Sequence, residues 1–143
     1  MEDTNEVNEL LMALDDQENN TIINLTSRKI KQEKNDILQK LQLSREKLKD
    51  FHKKLKQYRY CSDLDDIHYG AFIRWIPLKN KNNIKLTNGG IICDIKNHND
   101  QPLFLLKNNM NRFFQINFDE CLVFQKLSRQ ENIILTILDY IDK

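Results

Sequence analysis

The fold is decided by residues 88–126, NGGIICDIKNHNDQPLFLLKNNMNRFFQINFDECLVFQK. Short apolar runs alternate there with polar turn residues at a spacing of roughly 10–15 residues, which is typical of a small all-β unit. Asn88 and the two glycines after it accept the positive φ that a tight turn or bulge requires. We predict five strands, four of them in this stretch and one before it: Ala71–Leu78, Gly90–Lys96, Leu103–Lys107, Arg112–Phe118 and Cys121–Lys126.

A helix is predicted at the end of the chain. Ser128 and Glu131 have the spacing of a capping box, in which the serine oxygen accepts an early backbone N–H and the glutamate reaches back. The residues that follow form an apolar face: Ile133, Ile134, Ile137, Leu138 and Ile141. We expect this face to pack on the β unit.

The forty residues 21–60 contain no glycine or proline and are rich in helix-forming residues. Apolar residues recur there with a heptad spacing, interrupted at Ser27, Lys34 and Ser44. Such a narrow apolar stripe favours a coiled coil. The alternative is one long helix folded back on the β unit or on the acidic amphipathic segment at 1–20.

These patterns predict an α+β fold, with a long N-terminal helix that forms a coiled coil, a small five-stranded β-barrel and a C-terminal helix. The predicted parts are an acidic segment (1–20), a basic helical arm (21–60), the barrel (61–127) and the final helix (128–143).

Charge is strongly segregated although the net charge is only +1. Residues 1–20 carry seven acids and no base, whereas residues 21–59 carry twelve Lys and Arg against four acids. Opposite blocks of this kind are typical of interaction segments. Seven side chains of the arm could bind nucleic-acid phosphates: Arg45, Lys47, Lys49, Lys53, Lys54, Lys56 and Arg59. The alternative is that they form the solvated outer face of the coiled coil.

Residues 70–76 (GAFIRWI) and 88–95 (NGGIICDI), followed by three short strands, resemble an SH3-like barrel of the Tudor type over about residues 60–127. The preceding coiled coil is similar in layout to chromatin-associated adaptors that carry Tudor domains. The whole chain, including 124–141 (FQKLSRQENIILTILDYI), also resembles uncharacterised proteins of large nucleocytoplasmic DNA viruses.

The Tudor resemblance implies a cage of aromatic side chains that holds a methylated lysine or arginine by cation–π attraction. Trp75 and Phe113 are predicted as its exposed members, and Asp94 could pair with the cation. The aromatic candidates are Tyr69, Phe72, Trp75, Phe104, Phe113 and Phe114. The alternative is that these aromatic residues only build the core.

Catalysis is not predicted, because the chain has three glycines and no phosphate-binding or nucleophile motif. Neither a metal nor a cofactor is predicted. The potential zinc ligands Cys61, His68, Cys93, His98 and Cys121 lack paired spacing, and Cys93 is in phase with Ile91 and Ile95 as a small core residue.

No apolar run is long enough to span a membrane, and the acidic start does not resemble a signal peptide. We therefore expect reduced cysteines and a cytoplasmic or nuclear protein.

The predicted function is that of a non-catalytic adaptor or assembly protein. Residues 23–58 would associate with themselves or with a partner helix, and the barrel would bind a protein or peptide. Two alternatives are a nucleic-acid-binding protein that uses the basic arm, and a structural or assembly component of a virion.

Overall fold

The computed structural model describes residues 7–9, 11–13 and 25–141. The chain divides into two compact units, one made of Met1–Gln42 with Leu127–Lys143 and the other of Leu43–Lys126. Residues 7–9 and 11–13 are helical. The remaining elements are, in chain order, helix α1 (Ser27–Gln39), helix α2 (Arg45–Lys54), strand β1 (Tyr58–Cys61), a 3-10 turn (Leu64–Asp66), β2 (Phe72–Pro77), β3 (Gly90–His98), β4 (Gln101–Lys107), β5 (Phe113–Asn117), a second 3-10 turn (Phe118–Glu120), β6 (Cys121–Lys126) and helix α3 (Arg129–Ile141).

The first unit is helical and joins distant parts of the sequence. Its buried cluster contains Ala13, Ile30, Ile134 and Leu135. The Asp139 carboxylate of α3 accepts from the backbone N–H of Ser27 at 2.8 Å and from its hydroxyl at 2.6 Å. Because the first N–H groups of a helix have no partner within the helix, this carboxylate stabilises the start of α1.

The capping box predicted for α3 is confirmed. The Glu131 N–H donates to the Ser128 hydroxyl at 3.1 Å, and the Ser128 N–H donates to the Glu131 carboxylate at 3.0 Å. Sequence identified this feature because it depends on residues only three positions apart.

The prediction of a long N-terminal helix and a coiled coil is wrong. The segment contains two short helices, and no helix among the described residues is longer than 13 residues. Gln42 breaks the helix with φ 54°, and Ser44 then caps α2 by accepting from the N–H of Lys47 at 3.2 Å. The predicted arm also ends in a strand, since Tyr58–Cys61 is β1. Ser44, an exception in the heptad pattern, is therefore the N-cap of a new helix.

The prediction of a five-stranded barrel is also wrong. The second unit contains one six-stranded antiparallel sheet in the order β1-β6-β2-β3-β4-β5. Its outer strands β1 and β5 do not pair with each other, so the sheet is not closed. The five predicted strands are present as β2 to β6, each bound lying within two residues of the prediction. The strand that sequence missed is β1, which pairs with β6.

The main core of the second unit lies on one face of this sheet. Its buried members are Cys61, Ile67, Ile73, Trp75, Ile92, Phe104, Leu106 and Val123. Aromatic packing continues on the opposite face, where the rings of Tyr60 and Phe124 lie 5.6 Å apart. The β2 and β6 strands therefore have buried apolar residues on both faces, as central strands often do.

Strand β3 contains a bulge between Ile92 and Asp94. The bulge changes the phase of the strand, so Ile92 and Ile95 both contact the main core. Cys93 is exposed, and the prediction that it is a small core residue is wrong. A strict two-residue alternation cannot anticipate the extra residue of a bulge.

Helix α3 belongs to the helical unit. Its buried residues Ile134 and Leu135 belong to the cluster that contains Ile30. Within the ranges that the structure describes, no helix is long and apolar enough to cross a membrane.

Candidate functional site

A lysine-lined groove of about 320 Å³ lies where α2, β1 and β6 meet. We call it the lysine groove, and its lining residues are Lys53, Lys54, Lys56, Gln57, Tyr58 and Lys126. Tyr58 and Lys126 are opposite each other in the β1–β6 pair, so the end of one strand faces the beginning of the other.

The positions of the groove lysines follow from the burial of their neighbours. Phe51 and Leu55 are buried, four residues apart on one side of α2 and its C-cap. The Leu55 N–H donates to Phe51 O at 2.9 Å, and the Tyr58 N–H donates to Leu55 O at 3.0 Å. This tight turn connects α2 directly to β1 and leaves Lys53 and Lys56 on the exposed side.

The groove has a positive electrostatic character. Lys54 forms an ion pair on α2, with its Nζ 2.9 Å from Asp50 Oδ2. Both side chains of this pair are about half exposed, and such an exposed pair on a helix contributes only about 0.3–0.5 kcal/mol. Four lysines line one small concavity, and a cluster of positive charges of this kind attracts anions.

Tyr58 forms a neutral part of the groove lining. It is 9 % exposed, and burial raises the pKa of its hydroxyl, while the guanidinium of Arg74 acts in the opposite direction. Arg74 is itself held by a hydrogen bond from its Nε to Thr87 O at 2.8 Å. At neutral pH the phenol therefore remains protonated and adds no negative charge to the groove.

No family model, curated protein or solved structure matches this chain. The resemblances to Tudor domains and to viral proteins therefore stay predictions, and the function of this chain has to be argued from its own side chains.

The structure brings together three of the seven residues predicted to bind nucleic acid, namely Lys53, Lys54 and Lys56. Arg45 and Lys49 are exposed elsewhere on α2. The remaining two, Lys47 and Arg59, contact other residues of the sheet unit. The Lys47 ammonium lies 5.9 Å from the centroid of the Phe51 ring, and Arg59 is 3 % exposed.

Arg59 has a structural role in a buried polar network. Its Nη2 donates to Asp66 O at 3.1 Å, and its Nη1 lies 3.7 Å from Asp66 Oδ1. Gln125 donates to the same carbonyl at 3.0 Å and accepts from the His68 N–H at 2.9 Å. These bonds fix the segment before β2 against the sheet. Arg59 is therefore not available to a ligand at the surface.

Lys126 is the groove lysine that was not predicted from the sequence. It is the last residue of β6 and looked like an ordinary polar strand end. Its place in the groove depends on the pairing of β6 with β1, and the sequence-based prediction had no strand at Tyr58–Cys61.

The predicted aromatic-cage residues lie on both faces of the sheet. Trp75 is 7 % exposed and belongs to the main core. Phe72 and Phe113 lie in one cross-strand row with Ile91 and Lys107 between them. Three strand spacings separate the backbones of these two residues by roughly 14 Å, which is too far for both rings to contact one cation.

Tyr69 and Asp94, two of the predicted cage residues, both contact the backbone of Ile95. The Tyr69 hydroxyl lies 3.5 Å from Ile95 O, and Asp94 Oδ1 accepts from the Ile95 N–H at 2.9 Å. Phe113 is 61 % exposed. The structure thus does not assemble the five residues Tyr69, Phe72, Trp75, Asp94 and Phe113 at one point, and the cage as a binding site stays a prediction.

Cys121, the first residue of β6, has a thiol of low reactivity. Burial and the neighbouring Glu120 raise the pKa of Cys121 to about 11, with Lys79 acting in the opposite direction. A thiol that is protonated at neutral pH is a poor nucleophile.

Among the described residues, no group of three or more His, Cys, Asp or Glu could hold a metal ion.

Proposed function

We propose that this protein is a non-catalytic nucleic-acid-binding protein and that the lysine groove binds backbone phosphates. The observation that carries the proposal is the convergence of Lys53, Lys54, Lys56 and Lys126, which come from a helix, a turn and a strand, around one concavity. Ammonium groups are compact, strongly hydrated charges that bind phosphate oxygens without requiring a fixed direction.

The charge of the whole sheet unit supports this proposal. Residues 43–126 contain fifteen Lys and Arg against nine Asp and Glu, a net of +6 in a chain whose total is +1. A basic unit attracts a polyanion over the range of the Debye length, and the groove then provides a place for close phosphate contacts.

We expect little sequence preference. The aromatic residue that lines the groove, Tyr58, is buried, so it offers no exposed ring on which a base could stack. Contacts from lysines to phosphates fix position and do not distinguish one base from another.

The test is the salt dependence of binding to a labelled DNA duplex, measured by fluorescence anisotropy. If four lysines each neutralise a phosphate, the slope of log K against log salt is about −3.6. Raising the salt from about 50 to about 200 mM then weakens binding about 150-fold. The variant with Lys53, Lys56 and Lys126 replaced by Gln should have a slope of about −0.9.

A matched control replaces Lys81, Lys85 and Lys96 with Gln. These side chains are exposed, lie in the same unit and do not line the groove, and their replacement changes the net charge equally. We expect the control to keep most of the slope. Equal losses in both variants would show that only the overall charge matters and would refute a groove site. Binding to an acidic peptide with the same groove dependence, without binding to DNA, would assign the groove to protein recognition.

A further inference from the structure

Strand β5, Phe113–Asn117, forms one edge of the sheet with the sequence FFQIN. It is last in the strand order and, within the described chain, pairs only with β4. Phe113 is 61 % exposed and Phe114 is 44 % exposed, so within the described residues the start of this edge strand is open to solvent.

Natural sheets usually protect such an edge with a charged residue, a proline or a bulge. None of these occurs in the five residues of β5, which include two aromatic residues and one β-branched residue suited to strand pairing. An accessible edge of this kind is a template on which another strand can form hydrogen bonds.

The phase of the hydrogen bonds determines which backbone groups are exposed. The Asn108 N–H donates to Arg112 O at 2.9 Å, while the Arg112 N–H donates to Asn108 Oδ1, so the ladder bond nearest the turn is made by this pair of residues. Bonded and non-bonded pairs alternate along an antiparallel ladder. The N–H and C=O groups of Phe114 and Ile116 consequently face β4, and those of Phe113, Gln115 and Asn117 face outward.

We propose that β5 pairs antiparallel with β5 of a second copy of this chain, about a two-fold axis at Gln115. The outward-facing residues are symmetric about that position, so Phe113 of one copy is opposite Asn117 of the other and all three residues form ladder bonds. This arrangement also places Phe114 opposite Ile116 on the core side, an aromatic and β-branched pair that favours strand association.

The ends of the strand identify a second copy as the partner. Arg112 precedes β5 and Asp119 lies just after it, and both are exposed. An antiparallel pair brings the basic end of each copy to the acidic end of the other. The edge is thus self-complementary in charge, as an isologous two-fold interface requires.

A strand pair of this length is smaller than a standard interface of about 1,600 Å², so the dimer should depend on protein concentration. Sedimentation velocity on the full chain over a range of concentrations measures this. Hydrogen exchange by NMR should show that the amides of Phe113, Gln115 and Asn117 gain protection as the dimer forms. The amides of Phe114 and Ile116, which already bond to β4, should change little.

Variants that reverse or exchange the charges of Arg112 and Asp119 test whether the two ends of β5 pair in the dimer. Arg112→Glu removes both of the symmetry-related charge pairs, so it should shift dissociation to higher protein concentration by about tenfold. Arg112→Glu combined with Asp119→Arg should restore the dimer. Lys81→Glu is the control for charge alone and should have no effect on dimerisation.

A monomer at every concentration would overturn this proposal. So would a dimer without new protection at the three outward amides, or an edge that pairs only with the strand of a different protein. These outcomes are independent of the lysine groove, because none of the groove residues lies in β5.

Discussion

Replacement of Trp75 with alanine tests whether this residue belongs to the core or to a ligand site. The indole is 7 % exposed and is surrounded by the main core of the sheet unit. Truncation of a buried tryptophan to alanine costs about 3–5 kcal/mol, because it removes transfer free energy and leaves a cavity. Small domains are stable by only about 5–15 kcal/mol, so we expect a large fraction of the stability to be lost.

For a unit of this size, each kcal/mol lowers the melting temperature by roughly 4–8 °C. The Trp75→Ala variant should therefore melt at least about 12 °C below the wild type. Far-UV circular dichroism is the appropriate probe, because the variant has lost the one tryptophan of the chain. In the wild type, acrylamide should quench the emission of this single indole poorly.

Phe113→Ala is the matched control at protein concentrations too low for β5 pairing, since this ring is 61 % exposed in the single chain. Its removal should change the free energy of unfolding by no more than about 0.5 kcal/mol. If Trp75→Ala melts with the wild type and the native indole is readily quenched, Trp75 lies at the surface. The core described above would then be wrong, and Trp75 would again be a candidate member of an aromatic cage.

The remaining predictions concern backbone geometry and a buried charge. Gly89→Ala should lower the free energy of unfolding in urea by several kcal/mol, because φ is +96° and a Cβ would lie 2.7 Å from a ring carbon of Phe72. Gly70→Ala, at φ +78° with no atom near the new Cβ, should cost only about 1–2 kcal/mol. Equal costs for the two variants would contradict this reasoning. Burial, with Lys31 nearby, lowers the pKa of Lys34 to about 8, so the unfolded chain binds more protons between pH 8 and 10.5 and stability should rise across that window. Lys34→Met removes this titration, so its stability should not rise between pH 8 and 10.5 as that of the wild type does; an unchanged pH dependence would show that the charge of Lys34 is not responsible.

Sequence alone located the parts of this fold that depend on neighbouring residues. The positive φ at Gly89 and the Ser128 capping box depend on residues close together in the sequence, and these two features and the five strands β2 to β6 were predicted. The break at Gln42 was missed because the heptad pattern continued across it. Only the backbone angle and the cap formed by Ser44 separate two short helices from one long helix.

The candidate site was less predictable because it depends on pairing between distant strands. Lys53, Lys54 and Lys56 could be named from a run of charge, but Lys126 joins them only through the β1–β6 ladder. Arg59 has the same chemistry as its neighbours in the sequence, and only the structure shows that it is buried against Asp66. Trp75 was equally ambiguous, since both faces of β2 carry apolar residues and alternation could not identify its side.

The bond between Ser27 and Asp139 joins residues 112 positions apart, and the helical unit is made of two segments separated by the whole sheet unit. During synthesis on the ribosome, residues 43–126 form a continuous segment that can fold as soon as it emerges. The helical unit has to wait until the last helix has been made, because half of its buried cluster comes from that helix. Before it folds, the sheet unit is a flexible loop of more than eighty residues between the first and last helices. Folding fixes the two ends of this loop, which lowers the entropy cost of bringing those helices together. A released chain truncated before residue 127 should therefore hold a folded sheet unit and an incomplete helical unit, so proteases should cut the helical segment and spare residues 43–126.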